Sequence, residues 1–176
     1  MKISDQDAGG GQHYCVIPRT LVFITGVNSD TGERELLLLK GSATKRLWAN
    51  RYNGIGGHVE ANEDILAAAH REVIEETGLL IDRLQLRGVV NIDATDPAAG
   101  QHCGVLLFVF TCETNEREVH ATPEGTPAWL PLPRVYSLPL VDDLHQLIPL
   151  ALDGPFFYGH YAREEDGTLR YHFRHD

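Results

Sequence analysis

Cysteine is scarce in this chain of 176 residues: Cys15, Cys103 and Cys112 are an odd number and include no C-x-x-C pair. The expectation from so few is a reduced, cytoplasmic setting in which the thiols are buried structural groups. Basic charge is also in deficit, with 15 Lys and Arg against 25 Asp and Glu and a formal net charge of -10. A chain without surplus cations cannot displace the counterions of a phosphate backbone, which excludes a nucleic-acid polymer as the expected partner. No apolar run is long enough to span a bilayer, so no membrane partner is expected either. The opening MKISDQDAGGGQH is polar and glycine-rich without an apolar core, so it does not read as a signal peptide. Residues 1–13 read instead as a disordered lead-in, and residues 14–176 as one domain with enough chain for a real core. Internal repeats and long low-complexity segments are absent as well.

What is present is concentrated in Gly57 to Leu79, GHVEANEDILAAAHREVIEETGL. Asn62 suits a helix cap, Glu63 and Asp64 suit the positive end of the helix dipole, and Gly78 suits a left-handed stop, which predicts a helix from about Glu63 to Thr77. Glu72, Glu75 and Glu76 then stand at i, i+3 and i+4 and project from one face over a single turn. Like charges so close repel, and a hard divalent cation held by oxygen is an economical way to offset them. Leu66, Ala69 and Val73 on one flank, and Ala67 and Ile74 on the other, predict a helix buried on both sides of its acidic strip. Most acidic strips on helices are solvated faces. That reading leaves the fixed offsets of Gly57, Glu63, Arg71 and Gly78 around this one unexplained.

Those residues match every position of the Nudix box, and the chain resembles the Nudix hydrolases. The resemblance implies an α/β/α sandwich with a mixed central sheet, whereas local pattern alone supports α+β or α/β. It also implies a Mg²⁺-dependent enzyme, with Mn²⁺ as the alternative ion, that hydrolyses a nucleoside diphosphate linked to another group. The implied ligands are Glu72, Glu75, Glu76, the carbonyl of Gly56 and Glu124. The implied catalytic set is Glu72 or Glu124 as base, Glu75, and Arg71 as the residue that orients a glutamate. Gly57, Glu63 and Gly78 are then structural.

Around the box, Tyr14–Val27 and Glu35–Lys40 read as strands joined at Asn28–Gly32. The loop from Lys40 to Asn53 carries Lys40, Lys45, Arg46 and Arg51 and reads either as solvated or as a cationic lip for phosphates. Tyr52-Asn53-Gly54-Ile55-Gly56-Gly57 resembles the segment of MutT-like hydrolases of oxidised purine nucleotides whose asparagine contacts the base, although Asn-Gly is also a turn dipeptide. Leu84–Thr95 and Gly104–Glu113 read as strands joined through Asp96–Gly100, the second central and buried on both faces. Glu124 in EGTPAWLP lies where the family supplies a further acidic ligand or base, and Trp129 reads as packing. Asp142 and Asp143, at the head of a helix running from about Leu138 to Leu152, are explained by the dipole alone or, by the same resemblance, as a pair that binds the purine edge with one carboxyl protonated. Leu140 and Val141 depart from the tryptophan and proline that precede that pair in the resembling protein.

The tail reads as a hairpin about Glu165-Asp166-Gly167, with His160, His172 and His175 as strand-face residues. The function implied is hydrolysis of a nucleoside triphosphate such as 8-oxo-dGTP to the monophosphate and pyrophosphate. The alternatives are another Nudix substrate, ADP-ribose or a dinucleoside polyphosphate, or a sensor that binds without turnover. Its partner is a small nucleotide, and its assembly a monomer or homodimer.

Overall fold

The thirteen-residue strand β1 (Cys15–Val27) sends alternate side chains to opposite faces, because a strand's period is two. Leu21 and Phe23 join one apolar cluster, while Val22 and Ile24 join another on the opposite side. Both clusters are dry, so β1 reads as a nearly continuous apolar run rather than as an alternation. In this computed structural model, residues 14–43, 48–94, 103–164 and 166–175 are described. Lys45, Arg46, the Asp96–Gly100 connection, Glu165 and the lead-in at 1–13 lie outside them.

The remaining elements are β2 (Arg34–Gly41), β3 (Tyr52–Asn53), α1 (Ile65–Thr77), β4 (Gln85–Ile92), β5 (Cys103–Glu113), β6 (Gly125–Pro131), α2 (Leu132–Val135), α3 (Leu144–Asp153), β7 (Phe157–Arg163) and β8 (Leu169–His175). The sheet runs β3-β2-β1-β5-β4-β7-β8, with β6 on the other edge of β2. It is mixed: β1 pairs β5 in parallel and β2 antiparallel, while β4 pairs β7 in parallel. α1 covers one face through Ala69 and Val73, and α3 covers the other through Leu144, Leu147, Ile148 and Ala151. The result is the expected α/β/α arrangement with β5 near its centre. Among the described residues no helix is long and apolar enough to cross a membrane.

Four sequence expectations need correction. The cap of α1 is Asp64, whose carboxylate accepts the N–H groups of Leu66 and Ala67 at 2.9 Å each, so neither Asn62 nor Glu63 belongs to the helix start. A single flank of α1 is buried, since Leu66 and Ile74 are each 46% exposed. α3 begins at Leu144 rather than near Leu138, because residues 138–141 are held extended beside β3: Tyr52 N–H donates to Pro139 and Val141 N–H donates to Tyr52. Cys15 and Cys103 are not buried thiols. They face one another across the β1–β5 ladder with Cα atoms 4.8 Å apart and are joined as a disulfide. Cys112 alone is a buried free thiol, and burial pushes its pKa up to about 12.

Candidate active site

β1 outruns β2, and the segment from Tyr52 to His58 takes up the exposed edge. Val22 and Ile55 bridge it, as do Arg19 and His58, and Thr20 N–H donates to the Gly57 carbonyl at 2.9 Å. Glycine is required here. Gly56 has φ 148°, and a Cβ there would meet the Thr20 oxygen at 2.2 Å. A Cβ on Gly57 would stand 2.4 Å from Glu72 Oε1. The bare backbone thus lets α1 lay its acidic turn directly on the strip.

Gly78, at φ 81°, ends α1 in the left-handed region, its N–H donating to Ile74. Val73 packs inward, and the 3.6-residue period then aims Glu72, Glu75 and Glu76 at one cleft of about 620 Å³. Glu76, 6% exposed, accepts the Gly56 N–H at 2.9 Å. Arg71 gathers the others. Its Nε and Nη2 hold both oxygens of Glu63 at 3.0 and 2.7 Å, and its Nη1 holds Glu72 at 2.9 Å and Glu75 at 3.0 Å. Nη2 also donates to the His58 carbonyl at 2.9 Å. The bond to Glu63 is the largest reason that the Arg71 pKa is raised, and the same bond lowers that of Glu63. Burial pushes the Glu72 carboxyl up, against the opposite pull of Arg71.

Glu124, just before β6, reaches the same cleft, as do Arg51 and Asn53. Asn53 Oδ1 accepts its neighbour Gly54 N–H at 2.9 Å. Arg51 Nη1 donates to Asp142 Oδ1 at 2.8 Å, which ties the head of α3 to the cleft lip. Asp143 turns the other way and accepts the Tyr161 hydroxyl at 3.1 Å. Burial raises the pKa of Asp143, while the Tyr161 bond lowers it. Lys40 does not line the cleft; its amine lies 5.9 Å over the Tyr52 ring. Trp129 packs under the Arg117 guanidinium at 3.8 Å and donates its Nε1–H to the Arg117 carbonyl, as befits a packing residue.

Of the described residues, five glutamates and three arginines line the cleft. Among the described residues, no three Asp, Glu, His or Cys side chains are grouped tightly enough to hold an ion as they stand. Arg71 Nη1, bonded to both Glu72 and Glu75, offsets part of the repulsion between them. The donor chemistry fits a hard divalent ion, since the lining carboxylates offer it oxygen alone.

The family model described as NUDIX domain matches residues 18–151, which spans the whole of this cleft. The chain belongs to the Nudix family. As a Nudix pyrophosphohydrolase, it is 30% identical over 142 residues to a Mus musculus protein named oxidized purine nucleoside triphosphate hydrolase, over 78% of this chain and 86% of that one. A mutator MutT protein from Bacillus halodurans superposes with a TM-score of 0.71 at 24% identity, covering 90% of this chain and 97% of its own. The NUDIX domain of Shewanella oneidensis NrtR, solved with ADP ribose, gives 0.67 at 14% identity over 85% and 96%. These two likenesses bear on the fold.

Four lining residues of this Nudix cleft have no role that the sequence pattern assigned: Arg19, His58, Trp48 and Thr122. A signal existed for Arg19, the lone charged residue in the thirteen of β1. Trp48, at φ 60°, is held in the left-handed region at the lip, and the sequence carries no mark of that.

Proposed function

We propose that this Nudix domain hydrolyses nucleoside triphosphates, with oxidised purine nucleotides such as 8-oxo-dGTP favoured, to the monophosphate and pyrophosphate. One observation carries the reading: the box glutamates, Asn53 and, through Arg51, Asp142 converge on a single cleft. The mouse relative's name points to the same substrate class. Cytoplasmic nucleotides are the substrate pool that this reading implies.

Glu72, Glu75, Glu76, the Gly56 carbonyl and Glu124 would hold Mg²⁺, or Mn²⁺ in its place. That ion would supply neutralisation of the triphosphate and activation of a water for attack at phosphorus. The protein's own groups do the rest. Glu72 is the first choice to accept the water's proton, because Arg71 Nη1 fixes it in the cleft, and Glu124 is the second. Glu63 anchors Arg71 from behind. Asn53, with Asp142 held at the lip by Arg51, would read the base, while Asp143, bonded to Tyr161, would support Asp142 from behind.

The test is turnover of 8-oxo-dGTP against dGTP, ADP-ribose and a dinucleoside polyphosphate, with and without Mg²⁺, with the products identified. Glu72→Gln should lower kcat by about 10²-fold or more. Unchanged turnover would remove Glu72 from catalysis, and binding without turnover by the wild type would make the domain a sensor. Leu140 and Val141 are buried aliphatics and offer a base no ring to stack on.

A further inference from the structure

Among the described residues three guanidinium groups face the cleft, and their commitments differ. Arg71 divides its donors among Glu63, Glu72, Glu75 and the His58 carbonyl. Arg51 is paired with Asp142. Arg19 turns Nε and Nη2 toward a single atom, His58 Nε2, at 3.1 and 2.8 Å. Its Nη1 meets no acceptor among the described residues, and no carboxylate is bonded to it, Glu72 acting on it only through space. Because two donors converge on Nε2, that nitrogen carries a lone pair and the imidazole is neutral. His58 therefore fixes the guanidinium without cancelling its charge. A fixed fork with an unspent face and a full positive charge suits phosphate oxygens.

Order along the strip says which phosphate. Asn53 is at one end, Gly56 and Gly57 against Glu76 and Glu72 are in the middle, and His58 with Arg19 is at the other. Five extended residues reach at most about 17 Å, which matches the stretch from a purine edge to the end of its triphosphate. A nucleotide with its base at Asn53 and its scissile anhydride at the glutamates brings its last phosphates to Arg19. We infer that Arg19 binds the terminal phosphates of the substrate, and so the outgoing pyrophosphate, with His58 as the positioning residue that aims it. The inference rests on the nucleoside triphosphate reading above.

The experiment pairs kinetics with binding. In steady state, Arg19→Gln should raise KM for the best triphosphate about tenfold and weaken inhibition by pyrophosphate to a similar degree, a loss expected of one charge-assisted hydrogen bond. Inhibition by the matching nucleoside monophosphate, which lacks those phosphates, should move less than about twofold. His58→Gln, whose amide oxygen still accepts from Arg19, should behave as wild type, whereas His58→Leu should shift KM and pyrophosphate inhibition in the direction of Arg19→Gln. A purely structural role would not separate pyrophosphate from monophosphate in this way. Should Arg19→Gln not fold, Arg19→Lys keeps the charge, loses the fork and takes its place. Calorimetric titration of pyrophosphate with Mg²⁺ into wild type and Arg19→Gln reads the same contact without turnover. If the wild type hydrolyses no nucleotide, the functional reading fails while the titration still tests Arg19. Equal affinity of wild type and variant for pyrophosphate, or equal weakening of both products, overturns the inference.

Discussion

Asp143 shows how a single half-buried carboxyl couples recognition to stability. Burial raises its pKa and the bond from Tyr161 pulls it back, with burial the larger cause. For a group raised in the folded state, the stabilising contribution is complete below the unfolded value, about 3.9, and is lost as pH rises through the folded value. Above that window the contribution is gone, and the carboxyl costs stability relative to a group that does not titrate. An asparagine in its place would still accept the Tyr161 hydroxyl but would not titrate. Asp143→Asn should accordingly melt above wild type at pH 7, with the advantage shrinking as pH falls toward about 4. Thermal melts across that range check it, and a variant that melts lower at pH 7 would mean that the charged bond outweighs desolvation. At this scale the box was readable in advance, because glycine and glutamate at fixed offsets restrict both backbone and charge. That Arg71 holds a glutamate was implied by the resemblance; that it also holds Glu63, which lies outside the helix, and the His58 carbonyl was not readable.

α1 is the element on which the chemistry is mounted, and its two ends do different work. Asp64 holds the first turn, two turns away from Glu72, whereas Gly78 turns the chain away after the acidic turn. Asp64→Ala should cost about 1 kcal/mol. In a chain of this size that lowers Tm by roughly 2–4 °C, while kcat holds because Asp64 touches none of the cleft groups. Calorimetry beside an activity assay separates the two; a fall in kcat without a fall in Tm would contradict it. The stop at Gly78 was legible, since a left-handed cap favours glycine. The start was displaced by two residues because Asn62 and Asp64 are equally good caps by type, and choosing between them depends on where the chain leaves the Gly57 strip. β6 was not foreseen as a strand. Gly-Thr-Pro-Ala-Trp-Leu-Pro has two prolines, which an edge strand tolerates on its outward side.

Across the whole molecule, the Cys15–Cys103 bridge closes a sequence separation of 88 between two parallel neighbours. A loop of that length removes about 4–5 kcal/mol of chain entropy from the unfolded state, taken as an upper figure. Reduction, or Cys15→Ser, should lower Tm by roughly 10 °C while turnover at temperatures below the transition is kept, since neither sulfur lies near the cleft. A shift under about 2 °C on adding reductant would show that the bridge does not form in solution.

The sequence by itself determined the acidic face of α1 and the bare backbone opposite it, because each follows from local rules of period, capping and φ; the sandwich class came from the resemblance to the Nudix hydrolases, since local pattern supports no more than α+β or α/β. Tertiary structure alone decided that Arg19 meets His58, that Arg51 meets Asp142 and that Cys15 meets Cys103. Those meetings depend on strand register. In β1 and β5 both faces are apolar, so sliding one strand past the other by a residue leaves the hydrophobic pattern nearly unchanged. Register is fixed instead by how α1, α3 and the glycine strip close over the sheet, which no single stretch of the chain encodes.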